Sequence, residues 1–211
     1  MKKRITIVIV AIIALLSVGS LIFAESRHFE GEESAAHVGH VMKEAMKDLM
    51  TENEAEFFSE KSENAVAIVM GENVSKEYFD LKIKLCQIID ADGAEKRAWD
   101  IVKNEVYERK FAEEHGIMPT EAEIRACSED MRTVVESTEE SHAIVKSLIS
   151  ELGMTEDEYW NEYQLRYEAP VQMIRNKVYQ YCQDNNIEFP TPDEIEGEIL
   201  DITYTELIEE D

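Results

Sequence analysis

Residues 67–80 read AIVMGENVSKEYFD, and this stretch decides the fold. A short apolar run meets Gly71, which suits a tight turn because glycine adopts positive φ without steric cost. Ser75 then provides an N-cap for a segment whose apolar residues recur at helical spacing. The pattern predicts a strand, a turn and a helix. Neither GxGxxG nor a P-loop surrounds Gly71, so the stretch predicts an element of the fold rather than a nucleotide site.

The N-terminal residues 1–24 predict export. Three basic residues follow Met1, and residues 5–24 carry no charge. A signal-peptide core usually has about 7–15 residues and a spanning helix about 20, so the length is compatible with both. Small residues suit cleavage after Ala24, and the alternative is a retained N-terminal membrane anchor. Both alternatives place the rest of the chain outside the cytoplasmic membrane, because the basic residues stay on the cytoplasmic side.

The rest of the chain is strongly acidic. The 211 residues carry a formal net charge of −25, and three positive charges precede residue 25, so residues 25–211 carry −28. This charge repels nucleic acids and anionic lipid surfaces, which excludes both as partners. Membrane contact is therefore expected only through residues 5–24, if they are retained.

The three cysteines do not predict a metal centre. Cys86, Cys127 and Cys182 are far apart in the chain, with neither a CxxC motif nor a histidine pair nearby. Each falls on the apolar stripe of a predicted helix, which favours buried free thiols. One disulfide with one free thiol is the alternative, because an exported protein meets an oxidising compartment.

Hydrophobic periodicity predicts a mainly α-helical protein with three regions. Residues 1–24 form the signal peptide or membrane anchor. Residues 25–64 form an acidic, flexible stalk that contains an amphipathic helix at about residues 35–56. Residues 65–211 form one helical domain.

This domain is expected to contain five helices and a small strand pair. Pro170 lies inside the fifth helix and predicts a kink near Tyr167. Residues 201–208 alternate in polarity and are rich in β-branched residues, so they predict a strand that pairs with residues 65–70. Helix starts are marked by Thr-x-x-Glu capping boxes. These are Thr120 with Glu123, Thr155 with Glu158, and Thr191 with Glu194, the last opening a short helix to about residue 200.

One spacing in the stalk permits a metal-binding alternative. His37, His40 and Glu44 lie three and four residues apart, so on a helix they share a face. Neither an HExxH motif nor a cysteine partner accompanies them. A GxSxG motif is also absent, so the sequence predicts neither an enzyme nor a cofactor.

Three local motifs occur in an order that is typical of one family. The opening segment of strand, turn and helix start keeps four positions of the family's sequence motif, namely Gly71, Val74, Ser75 and Phe79. Met70 replaces the Asn that is usual before the glycine. The second motif is EEHGIMPTEAEI at residues 113–124, and the third is ELGMTEDEYWNEY at residues 151–163. In order and spacing they resemble the SurA-type N-terminal chaperone domain over about residues 65–182.

The resemblance implies a mainly helical fold whose opening strand pairs with a later strand. It also implies an ATP-independent chaperone or assembly factor that holds unfolded or newly secreted polypeptides outside the cytoplasmic membrane. In that family a parvulin-type prolyl isomerase domain often follows. The residues after the fifth helix are too few for such a domain, so isomerase activity is not expected. The alternative on the same fold is a dedicated binding module for a single partner.

Client contact of this kind requires accessible apolar surface. Methionine suits it, since its flexible side chain adapts to varied partners. Aromatic residues suit it as well, although at helical spacing they are more often core residues. The predicted client-binding residues are Met42, Met46, Met50, Trp99, Phe111, Trp160 and Tyr163.

Overall fold

A computed structural model describes residues 31–51, 58–59, 65–89, 91–201 and 203–204, with side chains for all of these except 45–51, 58–59 and 89. This part of the chain is mainly helical with one small sheet, which confirms the mainly α fold class. Among the helices it contains, none is long and apolar enough to span a membrane. The hydrophobic segment 5–24 lies outside the described residues.

The helices are α1 (Glu32–Thr51), α2 (Lys76–Ile89), α3 (Ala94–Glu114), α4 (Glu121–Glu136), α5 (Glu139–Leu152), the single turn α6 (Glu156–Glu158), a π-helical segment (Tyr159–Glu168) and α7 (Ala169–Asn185). The strands are β1 (Phe58–Ser59), β2 (Ala65–Val69), β3 (Glu72–Ser75) and β4 (Gly197–Ile199), and a 3-10 turn covers Pro192–Glu194. The described residues divide into two compact units. Unit 1 comprises those within Met1–Lys43 and Gly116–Lys177, and unit 2 those within Glu44–His115 and Val178–Asp211.

The opening stretch of unit 2 is a β-hairpin followed by a helix. β2 and β3 are antiparallel, and a two-residue turn joins them with Met70 at φ 49° and Gly71 at φ 83°. Two positive φ values are the signature of a type I′ turn. The strand, the turn and the helix are confirmed, and the Ser75 hydroxyl accepts a hydrogen bond from Tyr78 N at 3.2 Å as the expected cap. The short strand β3 was not expected, because only one of its four side chains is buried.

The predicted partner strand is wrong in its position. β2 pairs with β4, with Ile68 opposite Glu198, in a sheet of order β1-β3-β2-β4. In this arrangement Gly197 lies against Trp99, where a Cβ would come within 2.9 Å of the indole, so a larger residue would displace the strand. The chain then turns at Asp201, whose carboxylate accepts a hydrogen bond from the backbone N–H of Thr203. Residues 202 and 205–208 lie outside the described residues.

The segment after β4 contacts α2 through Tyr204. The Tyr204 ring lies 5.1 Å from that of Phe79, and its hydroxyl donates to Asp80 at 2.5 Å. Lys76 donates to the same hydroxyl at 2.5 Å. The third capping box is present at Thr191 and Glu194, but the helix predicted after it is only a 3-10 turn, because Ile195 returns to extended geometry.

In unit 1, the first half of α1 is a packed helix. Its apolar side chains, among them Val38, are buried. A Cβ on Gly39 would come within 2.4 Å of the Leu148 carbonyl oxygen, so only glycine permits this close approach to α5. The predicted stalk at 25–64 thus differs from the structure, which places this part of it in the core of unit 1.

The capping boxes at Thr120 and Thr155 are confirmed. After α6 the chain adopts π-helical geometry, and the N–H of Ala169 bonds to the Gln164 carbonyl five residues back. This irregular segment includes Tyr167, near which the sequence predicts a kink, and it ends two residues before Pro170. Inside the segment, the Gln164 amide donates to the Tyr159 hydroxyl at 2.9 Å, and both residues are buried.

Replacing Met70 by Asn is expected to stabilise unit 2. A non-glycine residue at positive φ costs about 1–2 kcal/mol, and Asn tolerates this geometry better than Met. We expect Met70→Asn to raise the free energy of unfolding by about 0.5–1 kcal/mol in urea denaturation. Met70→Ala is the control, because it keeps the steric cost. Equal stabilities of the two variants would contradict the strain argument.

Candidate client-binding surface

The structure places five of the seven predicted client-binding residues in the core. In unit 1, Met42, Trp160 and Tyr163 are 2%, 3% and 4% exposed, and in unit 2, Trp99 and Phe111 are 7% and 8% exposed. These side chains are therefore unavailable for direct client contact. Their helical spacing also allowed a position in the core, and that is where the structure places them. The side chains of the other two, Met46 and Met50, lie outside the described residues.

Other apolar side chains are exposed instead. In unit 2 these are Tyr179, Ile187 and Leu200, and in unit 1 they are Met118 and Val134. Single exposed apolar residues are ordinary, whereas a group of them on one helix face marks an interaction surface. On α4, one exposed residue of this kind, Val134, lies beside two half-buried apolar side chains.

The apolar face of α4 is wider than the part that unit 1 covers. The helix buries the line through Ser128 and Val135, and the Ser128 hydroxyl donates to the Trp160 carbonyl at 3.0 Å. At about 100° per residue, Cys127, Met131 and Val134 lie on one side of this line. Cys127 and Met131 are half-buried, and Val134 is 46% exposed. We call these three residues the α4 rim.

Carboxylates border the α4 rim on its solvent side. Asp130 lies between Cys127 and Val134 at helical spacings of three and four residues, and no ion pair joins it to a cation among the described residues. Burial and Asp130 together raise the pKa of the Cys127 thiol. Glu123 lies one turn before Cys127 and pairs with Lys177 at 2.6 Å. The rim is therefore an apolar strip with an acidic edge.

Unit 2 contains an aromatic cluster at the end of α3. Phe111 stacks on His115 at 4.0 Å and meets Tyr181 edge to face at 5.7 Å. Tyr107 meets Phe189 edge to face at 5.1 Å. These rings satisfy one another in preferred geometries, so the cluster holds unit 2 together rather than presenting open ring faces.

One group of metal-ligating side chains comes together in unit 1. Ligand atoms of Glu136, His142 and Glu156 lie within 4.8 Å of one another. Arg132 already pairs with Glu136 at 2.6 Å, and both His142 at 2.6 Å and Lys146 at 3.5 Å contact Glu156. The pKa of Glu156 is lowered chiefly by the hydrogen bond with His142. The contacts to Glu156 connect α5 to α6, and Arg132 also contacts Asp157 at 3.7 Å, which connects α4 to α6.

The predicted ligands His37, His40 and Glu44 are exposed on α1. They do not form a comparable group within the part of the chain that the structure describes. The metal-binding alternative therefore has no preformed geometry there.

All three cysteines are free thiols. Cys86 and Cys182 are buried, as expected, whereas Cys127 is only half-buried on the α4 rim. Burial raises the pKa of Cys86 to about 11, so this thiol is unreactive at neutral pH.

Acidification is expected to weaken the start of α4. The pKa of Glu123 is lowered to about 2, first by its bond with Lys177 and then by the backbone and hydroxyl of Thr120. Because the folded-state pKa lies below the ordinary value of 4.5, the carboxylate stabilises the fold above pH 4.5 and loses this effect as pH falls towards 2. Thermal unfolding by circular dichroism should show a steeper fall in Tm below pH 4.5 for wild type than for Glu123→Gln.

Glu121→Gln is the control for this pH series. It removes a carboxylate from the same first turn, and Glu121 belongs to neither the capping box nor an ion pair among the described residues. A profile of Glu123→Gln that matched the wild-type profile would contradict the role of Glu123.

Comparison with known proteins yields one partial match. No family model matches the chain, and no solved structure matches it. The glutamate-rich protein GrpA of Alkalihalophilus pseudofirmus is 31% identical over 100 residues, which are 45% of this chain and 62% of the relative. The chain therefore spans less than two thirds of that relative's length. The name of the relative describes its composition, and the present chain likewise contains 46 acidic residues.

Proposed function

We propose that this protein is an exported, ATP-independent chaperone or assembly factor of the SurA N-terminal type. It holds unfolded or newly secreted polypeptides outside the cytoplasmic membrane, either anchored through residues 5–24 or released after cleavage. The observation that carries this proposal is the α4 rim, an accessible apolar strip on a strongly acidic chain. Apolar surface supplies client contact, and the net charge keeps the protein soluble.

Local geometry at the three resemblance motifs supports the proposal. The turn at Gly71 is a tight hairpin turn, and the helices that start inside the second and third motifs begin with capping boxes at Thr120 and Thr155. The Asn that is usual before the glycine is the residue that tolerates positive φ, and Met70 occupies the same conformation here.

Aggregation of an unfolded protein tests the activity. A chemically unfolded test protein is diluted into the full-length chain, and light scattering is followed with a neutral carrier protein as the control. The α4 rim is small, and contact yields about 25 cal/mol per Å² of apolar surface, so each contact is weak. Suppression is therefore expected near a stoichiometric ratio, and ATP should not change it. Absence of suppression at several-fold excess would contradict holding activity.

Export is tested separately in intact cells. Added protease should digest the chain in cells or protoplasts whose cytoplasmic marker stays protected. The size of the chain relative to a variant that begins at residue 25 reports whether residues 1–24 are removed. A chain that stays protected with the cytoplasmic marker would contradict export.

A dedicated single-partner module is the second candidate. The burial of five predicted contact residues favours it, because among the described residues the accessible apolar surface consists of single side chains and the narrow α4 rim. Affinity purification under native conditions should then recover one partner at constant stoichiometry. The combination of such a partner with no aggregation suppression would replace the first proposal.

A further inference from the structure

We infer that the α4 rim binds cationic amphipathic polypeptide segments. Their apolar side chains lie on Cys127, Met131 and Val134, and their basic side chains lie against Asp130. This inference rests on the proposed function and specifies its client class.

Helix geometry makes the apolar part of the α4 rim continuous. On α4, Cys127, Met131 and Val134 follow one another at spacings of four and three residues, so they form a continuous strip about 10 Å long at 1.5 Å per residue. The strip continues from the half-buried Ile124 beside the core. A client side chain placed on it extends an existing apolar face, and this is the mode by which amphipathic segments bind helix faces.

The side chains around the apolar strip carry an excess of negative charge. Between Gly116 and Lys177 there are thirteen acidic and six basic side chains. The cation nearest in sequence on α4, Arg132, already pairs with Glu136 at 2.6 Å, and Lys177 pairs with Glu123. At about 100° per residue, Arg132 also falls on the opposite side of the buried line from Val134. A segment on the rim therefore meets unbalanced negative charge.

The occupant follows from these two properties together. An apolar but acidic segment is repelled, and a basic segment without apolar side chains leaves the strip uncovered. The attraction between opposite charges in solvent weakens with salt, because the Debye length shortens from about 10 Å at 0.1 M to about 3 Å at 1 M. Binding should accordingly weaken with salt without disappearing.

Three synthetic peptides separate the contributions. The first is a fluorescein-labelled amphipathic peptide of Leu and Lys, the second has Glu in place of Lys, and the third has Ser in place of Leu. Fluorescence anisotropy with the full-length chain should show the Leu/Lys peptide binding at least about tenfold more tightly than either control. Equal binding of the Lys and Glu peptides, or of the Leu and Ser peptides, would overturn the inference.

Val134→Glu locates the site on the rim. The residue is 46% exposed, so the fold tolerates the change. The added negative charge by itself favours a cationic peptide, so a loss of affinity isolates the apolar contact. We expect Val134→Glu to weaken binding of the Leu/Lys peptide at least about fivefold and Val134→Thr, an uncharged variant of similar shape, to weaken it as well.

Ala126→Glu is the matched control on the same helix. Ala126 is exposed and lies about 80° around the axis and about 12 Å along it from Val134. This variant should change affinity less than about twofold. If both Glu variants and Val134→Thr leave binding unchanged, the α4 rim is not the site.

The same variants distinguish this inference from the proposed function. If wild type suppresses aggregation and Val134→Glu suppresses it equally, holding activity stands and the α4 rim is overturned as its surface. If wild type does not suppress aggregation but binds the Leu/Lys peptide with the expected sensitivity to Val134→Glu, the surface stands and general holding fails.

Discussion

Replacing Glu105 by Ala is expected to lower the free energy of unfolding of unit 2 by about 3–5 kcal/mol. Glu105 is 5% exposed, and its carboxylate accepts a hydrogen bond from Lys82 Nζ at 2.8 Å and another from the Tyr78 hydroxyl. Lys82 is itself only 3% exposed. Without the carboxylate, its ammonium group stays buried in unit 2 without this counter-ion, which is the costly outcome of breaking a buried ion pair.

A double variant separates this penalty from the net contribution of the pair. Lys82→Met with Glu105→Leu replaces both charges by apolar side chains, and such replacements are often neutral or stabilising. Urea denaturation should therefore show the double variant close to wild type and Glu105→Ala far below it. A cost of less than about 1 kcal/mol for Glu105→Ala would indicate that water reaches Lys82 and would contradict its burial.

Phe79→Ala is expected to cost unit 2 a similar amount, about 3–5 kcal/mol. Phe79 is fully buried, with ring centroids 6.0 Å from Trp99 and 5.1 Å from Tyr204. It thus connects α2 to α3 and to the segment after β4, and its removal leaves a cavity at their junction. Since whole domains are stable by only about 5–15 kcal/mol, the loss is a large share of the total.

Tryptophan fluorescence measures this loss in unit 2 by itself. Trp99 belongs to unit 2 and Trp160 to unit 1, so a Trp160→Phe background leaves one reporter in unit 2. Tyr179→Ala is the control, because this aromatic residue is 62% exposed and its removal should change stability by less than about 0.5 kcal/mol. Equal effects of the Phe79 and Tyr179 substitutions would contradict the core role of Phe79.

These two predictions differ in how far the sequence anticipates them. Phe79 lies on the apolar stripe of a predicted helix and is part of the family resemblance, so a core role follows from its pattern. Glu105 stands in a chain with 46 acidic residues, and nothing local distinguishes it from a solvated carboxylate. Its role depends on Tyr78 and Lys82, which another helix brings to it.

At the candidate surface too, some features are visible in the sequence and others depend on tertiary contacts. The stripe of α4 and its capping box are visible in the sequence, because a helix face and a cap depend on residues three and four apart. The exposure of Val134 and the burial of Met42 are not visible, because they depend on what covers each face. The apolar residues that stood out most by type are therefore in the core, and the rim consists of less conspicuous ones.

By itself, the sequence determined the main helices, strand β2, the glycine turn and the caps at Thr120 and Thr155. Each of these follows from interactions between residues close in the chain, where spacing alone decides the geometry. Tertiary structure alone decided that β4 lies beside β2 with Gly197 against Trp99, that Gly39 lies against α5, and which apolar side chains stay accessible. These outcomes depend on contacts between distant segments, and a glycine reveals such a contact only when its neighbour is known.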